Sequence, residues 1–342
     1  MLSFSPSVDD PAYREKDFKD FLAVYREQIS GLLDGGADIL LIETVFDTLV
    51  AKAALTAAME ECDRRGVDLP IMVSATFSDK SLRTLSGQTL EAFIASLSTY
   101  PIFSLGVNCS TGAAEMLPLI RELSALSPFY TSAHPNAGFP DNEGNYRQTP
   151  EAFAALLKPV LKEGCLSVAG GCCGIRPEHI AAIAEAAAGE RPRQIPEKDP
   201  VLTLSGLDSL NIPVKHTFIT VGERANVAGS RRFARLIREE KYEKALSLAG
   251  RQIDRGAQII DICMDAPLID APAAMRRFLR LLAADPVAAR VPVMVDPSSW
   301  PVIETALGEL QGRSIVNSIS LKEGEEFLPG RGIFTAWVQW SW

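Results

Sequence analysis

The stretch GGADILLIETVFDT (35–48) decides the fold. Its two glycines stop a helical run in which Phe18, Phe21, Leu22, Tyr25, Ile29, Leu32 and Leu33 recur at helical spacing. Ala37-Asp38-Ile39-Leu40-Leu41-Ile42 then reads as a buried strand, Glu43 and Asp47 follow it, and a second helical stretch runs from Asp47 to about Arg65. The same order of glycine stop, buried strand and terminal acid returns at Gly256-Ala257-Gln258-Ile259-Ile260-Asp261. Two similar α/β units in tandem is the simple reading.

Working outward, strands are expected near 70–77 (PIMVSATF), 103–108 (FSLGVN), 129–133 (FYTSA) and 166–169 (LSVA), with helices between them. The helix at 149–163 opens on Thr149-Pro150-Glu151, a cap followed by a proline at the first helical position. Apolar strands alternating with amphipathic helices indicate a parallel sheet covered by helices on its outer face. Residues 191–216 contain four prolines and no sustained period, which marks a linker. The alternation restarts with strands at 217–222, 258–262, 292–296 and 314–319, and helices at 230–255, 270–284 and 301–311. Eight such units close a barrel. The expected fold is therefore α/β, two tandem TIM-type (β/α)8 barrels, both incomplete, with about five and four strands. The first spans 1–190 and the second 217–324. Residues 325–342 read as an aberrant tail, because three of the four tryptophans fall in the last six positions.

Composition bounds the partners. The 342 residues suffice for two cores, and 47% hydrophobic with 23% charged residues is ordinary for a globular protein. A net charge of −9 argues against a nucleic-acid or anionic-membrane surface. The sequence contains no transmembrane-length apolar run and no signal-peptide pattern at its start, so the cytoplasm is the expected address. There, the six cysteines read as thiols or metal ligands rather than disulfides.

Functional residues of parallel barrels sit where strands run out into loops. Asn108-Cys109, His134-Pro135-Asn136 and Gly170-Gly171-Cys172-Cys173-Gly174 all fall there. Cys172 and Cys173 converge only where the backbone turns, which the flanking glycines permit. Three thiolates at one rim, Cys109, Cys172 and Cys173, suit a catalytic zinc with its fourth position open to a substrate thiol. Any one of them alone reads as a small buried core residue. Cys62 and Cys165 are expected to be structural, His179 a surface or capping residue, and His134 either a substrate contact or a loop support. The second unit offers Gly222-Glu223-Arg224-Ala225-Asn226, Asp261-Ile262-Cys263-Met264-Asp265, Asp296-Pro297-Ser298-Ser299 and Asn317-Ser318. Carboxylates and amides around one mouth suit a flat heterocycle. Ser298 and Ser299 read instead as helix caps.

The stretches LIETVFDT (41–48), TLSGQT (84–89), GVNCSTG (106–112), TSAHPNAGFP (131–140) and GGCCG (170–174) resemble the homocysteine-binding module of the cobalamin-dependent methionine synthase family. VGERANVAGS (221–230), IIDICMD (259–265), MVDPSSW (294–300) and IVNSISLKEG (315–324) resemble its pterin-binding module, in that family's order. Homocysteine S-methyltransferases and betaine–homocysteine methyltransferase share the cysteine trio but carry no such pterin barrel. The resemblance implies zinc on Cys109, Cys172 and Cys173, and homocysteine held by Glu43 with support from Asn108. It implies the pterin of methyltetrahydrofolate on Glu223, Asn226, Asp296 and Asn317, with Asp261 on the same mouth. It further implies methyl transfer to homocysteine, forming methionine, through cobalamin carried on a module that this chain lacks. Cys263 stands where the family usually has Asn, which removes one polar contact. The rival expectations are a zinc- and homocysteine-binding fragment without turnover, a cobalamin-independent homocysteine S-methyltransferase-like module, and a product of a broken gene.

Overall fold

The computed structural model describes residues 2–77, 81–197, 201–213, 215 and 218–317. The first helix, α1 (Phe18–Asp34), opens on a reciprocal cap in which Asp17 accepts from the Lys19 and Asp20 amides while Asp20 reaches back to the Asp17 amide. It ends at Gly35, and the chain enters β1 (Leu40–Val45). Asp47 caps α2 (Thr48–Arg65), which Gly66 closes in the left-handed conformation. The alternation continues through β2 (Ile71–Ala75), α3 (Leu90–Leu97), β3 (Ser104–Gly112), α4 (Ala113–Leu126), β4 (Tyr130–Asn136), α5 (Pro150–Lys162), β5 (Val168–Ala169) and α6 (Pro177–Ala187).

These five strands pair in sequence order, every pair parallel. Helical crossovers between consecutive strands impose that arrangement. Val73, Ala75, Leu105, Val107 and Ala133 are buried and join the cluster that holds Leu55, Phe93, Ile120, Phe153 and Leu157 of the covering helices. At roughly 25 cal/mol per Å² of apolar surface removed from water, this layer is the main stabilising term of the first unit.

Residues 201–213, within the stretch read as a linker, carry regular structure. β6 (Val201–Ser205) and β7 (Ser209–Pro213) form an antiparallel hairpin within it. The second unit then follows with β8 (Val221–Asn226), α7 (Arg231–Arg238), α8 (Tyr242–Asp254), β9 (Ile259–Cys263), α9 (Ala271–Ala284), β10 (Val293–Val295), α10 (Trp300–Leu307) and β11 (Ile315–Val316). Its four strands make a parallel sheet in the order β11-β10-β9-β8. β8 starts at Val221 rather than near 217, with a register irregularity between Gly222 and Ala225, so Glu223 and Asn226 belong to the strand itself. Among the described residues the observed class is α/β with parallel sheets of five and four strands, and neither sheet closes. The tail expected at 325–342 lies outside the described residues.

The two units meet through polar contacts rather than a shared sheet. The Lys52 amine of α2, fully buried, donates to the carbonyls of Leu310 (3.1 Å) and Gly312 (2.7 Å), and the Thr48 hydroxyl donates to Gln311 O at 3.0 Å while also reaching Gln88 Oε1 at 2.6 Å. Gln88 donates to Gly206 O and Ser96 Oγ, which ties the TLSGQT stretch to the hairpin. Asp208 pairs with both Arg83 and Arg290 at the same joint.

Candidate active site

The end of β3 is bent out of regular strand. Cys109 (φ 60) and Ser110 (φ 64) both have left-handed backbone, uncommon for residues with a side chain, and the pairing with β4 shifts between Asn108 and Gly112. Cys172 and Cys173 sit on the turn that follows β5, held by Cys172 N–H donating to Pro135 O (2.8 Å) and Ala137 N–H donating to Cys173 O (2.9 Å). The two distortions bring three sulfurs together: Cys109 Sγ lies 3.8 Å and Cys172 Sγ 3.9 Å from Cys173 Sγ, all within 4.8 Å of one another.

Amide side chains fix the backbone around the thiols. Asn108 is buried; its Oδ1 accepts from the Thr44 amide (3.1 Å) and its Nδ2 donates to Thr44 Oγ1 (2.9 Å), with Cys172 Sγ at 4.0 Å. Asn136 Oδ1 accepts from the Cys173 amide at 3.0 Å, and the Thr76 hydroxyl donates to Asn108 O at 3.0 Å. Burial, with the adjacent thiols adding to it, pushes the Cys172 thiol up to about 12. Crowding of this kind opposes three negative sulfurs unless a cation sits among them. Burial lowers the His134 pKa, and the charge of Glu43 opposes that shift. Glu43 itself is exposed at the end of the edge strand β1.

Tyr146, in the loop between β4 and α5, is the site residue that sequence reasoning missed. Its ring lies on the turn just after Cys173: a Cβ added to Gly174, itself at φ +77, would fall 2.3 Å from Tyr146 Cβ and 2.4 Å from Cγ. Burial first, and after it the nearby thiols of Cys173, Cys109 and Cys172, raise its phenol pKa. No periodicity marks a residue inside an irregular loop, so only the folded chain reveals it.

The other assignments divide. Cys62 and Cys165 are buried and distant from the trio, as their sequence setting suggests. His179 is a capping residue but not a surface one; it is buried, its Nδ1 accepts from the Arg176 amide, and its Nε2 lies 3.0 Å from Gln148 O. Asp47, beyond capping α2, accepts from the amides of Leu2 and Ser3.

In the second sheet, Asn226 gathers two acids. Its Nδ2 donates to Asp261 Oδ2 and Asp296 Oδ2, both at 2.8 Å, while its Oδ1 accepts from the Ala228 and Gly229 amides. Burial, with Asp296 and Glu223 nearby, pushes Asp261 up to about 6, and burial also raises Asp296. Asp261 Oδ1 is buried with no hydrogen-bond partner among the described residues. Glu223 and Asn317 are exposed at the rim. Cys263 is buried and its thiol is pushed up to about 11, so it stays a neutral thiol beside the acids. Ser298 does not cap α10; its amide and hydroxyl both donate to Asp265 Oδ2, and Ser299 at the cap position makes no side-chain cap bond.

A thiol cluster on one parallel sheet and a carboxylate–amide cluster on the next define an α/β protein with two separate polar sites. Residues 2–187 match the homocysteine S-methyltransferase family, and residues 222–329 match the pterin binding enzyme family. The chain belongs to the homocysteine S-methyltransferase family, and the succession of the two modules fits a methionine synthase-like segment. Among solved structures it is similar to the homocysteine methyltransferase MmuM from Escherichia coli in its apo form, at 24% identity and a TM-score of 0.39, over 50% of this chain and 58% of that one. It is also similar to histamine dehydrogenase from Rhizobium sp. 4-9, at 12% identity and a TM-score of 0.36, over 86% of this chain and 48% of that one. The chain thus spans 58% of the length of the first of these relatives.

Proposed function

We propose that the first module holds one zinc ion on Cys109, Cys172 and Cys173 and presents it to the thiol of homocysteine, for a methyl transfer that forms methionine. The sulfur spacing carries this reading: 3.8 and 3.9 Å, against about 3.8 Å expected for the edge of a tetrahedron with Zn–S bonds of about 2.3 Å. Three protein sulfurs leave a fourth tetrahedral position for a substrate. Zinc bound there would supply a Lewis acid that keeps an incoming thiol in its nucleophilic thiolate form near neutral pH.

The chain's own side chains do the rest. Asn108 and Asn136 hold the backbone that aims the sulfurs. Glu43, next to the Thr44 that Asn108 binds, takes the ammonium of homocysteine. His134, its pKa lowered by burial, leaves Glu43 as the charged group on that side. In the second module Asn226, Asp261 and Asp296, with Glu223 and Asn317 at the rim, take the pterin of methyltetrahydrofolate. The unpartnered Asp261 Oδ1 supports this, because a buried polar atom left without a partner costs about 1–3 kcal/mol that a heterocycle edge recovers. Cobalamin, the methyl carrier implied by the resemblance, is assigned no residue of this chain. Both sheets are taken as arcs of (β/α)8 barrels, over 1–190 and 217–324, with 191–216 between them.

Elemental analysis of the purified chain tests the metal assignment. About one zinc per chain is expected, falling to near zero in Cys109→Ala, since two adjacent thiols do not make the site alone. Equal zinc in parent and variant would overturn it.

A further inference from the structure

β1 and β3 are not neighbours, since β2 lies between them. One side chain nevertheless ties their ends together. Asn108, buried where the β3–β4 register breaks, accepts from the Thr44 amide through Oδ1 at 3.1 Å and donates to Thr44 Oγ1 through Nδ2 at 2.9 Å. The hydroxyl of Thr76, just past β2, donates to Asn108 O at 3.0 Å and steadies the same residue from the strand between.

The backbone of Thr44 is bent to meet this amide. At φ 55 it is an outlier for a β-branched residue, and the β1–β2 register breaks around it, between Ile42 and Val45. Strand alternation would send Glu43 and Thr44 to opposite faces. Here both are exposed, between a half-buried Ile42 and a buried Val45. Strain of this kind persists only where surrounding contacts hold it, and the two hydrogen bonds from Asn108 are such contacts. Each end of the tie adjoins a group of the site: Thr44 follows Glu43, and Asn108 precedes Cys109, with its Nδ2 4.0 Å from Cys172 Sγ. The pair therefore sets the span from the carboxylate to the sulfurs. A thiol amino acid that reaches both must match that span, and homocysteine is longer than cysteine there by one methylene.

We propose that Thr44 is a positioning residue of the thiol site: held by Asn108 in its left-handed turn, it fixes the span from Glu43 to the sulfurs and so selects homocysteine over cysteine. This rests on the reading that the trio holds zinc and that Glu43 takes the ammonium.

Thr44→Ser keeps the hydroxyl. Thr44→Gly adopts the positive φ without strain, so the fold is kept, but it loses the hydroxyl and loosens the turn. Calorimetric titration of the full, zinc-loaded chain is expected to show homocysteine bound about tenfold or more tighter than cysteine, the worth of one methylene in a fitted site. Thr44→Ser should keep that ratio. Thr44→Gly, at the parent's zinc content, should bind homocysteine about fivefold weaker with cysteine little changed, so the ratio falls toward one. A Thr44→Gly chain with the parent's ratio overturns the proposal, as does a parent that binds the two thiols equally. A parent that takes up no zinc overturns the metal reading, and homocysteine binding untouched by Glu43→Gln overturns the ammonium assignment; the proposal falls with either.

Discussion

Asp261 shows how one residue records its surroundings. Its carboxyl, pushed up to about 6 chiefly by burial, holds a proton in the folded chain that the unfolded chain has released. Between about pH 4 and pH 6 the folded state therefore binds more protons, and stability falls as pH rises through that window. Asp261→Asn keeps an acceptor for Asn226 and removes the titration. Thermal melts from pH 4 to pH 8 should show a flatter pH dependence in the variant and a higher Tm above pH 6; a parent-like slope would place the buried charge elsewhere. The acids and amides of this cluster were readable as strand-end residues. Their arrangement around Asn226 was not, because one amide bridging β9 and β10 depends on a register irregularity in β8.

At the scale of elements, the β6–β7 hairpin is the least predictable piece and among the most tightly packed. A Cβ on Gly206 would fall 2.4–2.7 Å from the carbonyls of Ala289, Val291 and Arg290. Gly206→Ala should therefore destabilise the chain by about 1–3 kcal/mol in urea titration, since backbone on backbone has little room to yield. Gly250→Ala is the control. That glycine lies inside α8 with nothing near its absent side chain, so alanine should stabilise by about 0.5–1 kcal/mol. Opposite signs from one substitution type would confirm the close approach; equal signs would discount it. The α/β rhythm on either side was legible because strand and helix periods are local. The hairpin was not, because its prolines read as breaks and its strands face another module instead of a continuous sheet.

For the whole molecule, the joint between the modules turns on Lys52. Burial, reinforced by Arg313 and opposed by Asp47, lowers its pKa to about 7. Above pH 7 the folded chain holds a neutral amine while an unfolded lysine, titrating near 10.4, still carries its proton. The unfolded state binds more protons there, so stability contributed through this group rises with pH between about 7 and 10. Lys52→Met leaves the Leu310 and Gly312 carbonyls without that donor and removes the titration. Urea titrations at pH 7 and pH 9 should show the parent gaining up to about 2–3 kcal/mol over the variant's change. An identical pH response in both chains would remove Lys52 from the joint's energetics.

Strand order, parallel pairing and the positions of Cys109, Cys172 and Cys173 at strand ends were all determined by the sequence alone. Those features follow from apolar period, glycine stops and the crossover rule, each of which acts within a few tens of residues. Only the tertiary structure decided that Cys173 Sγ stands 3.8–3.9 Å from the other two sulfurs, that Tyr146 packs against Gly174 beside them, and that Lys52 enters the second module. Each of those depends on two segments distant in the chain meeting at sub-ångström tolerance. That tolerance is set by packing and backbone strain, which no local pattern encodes.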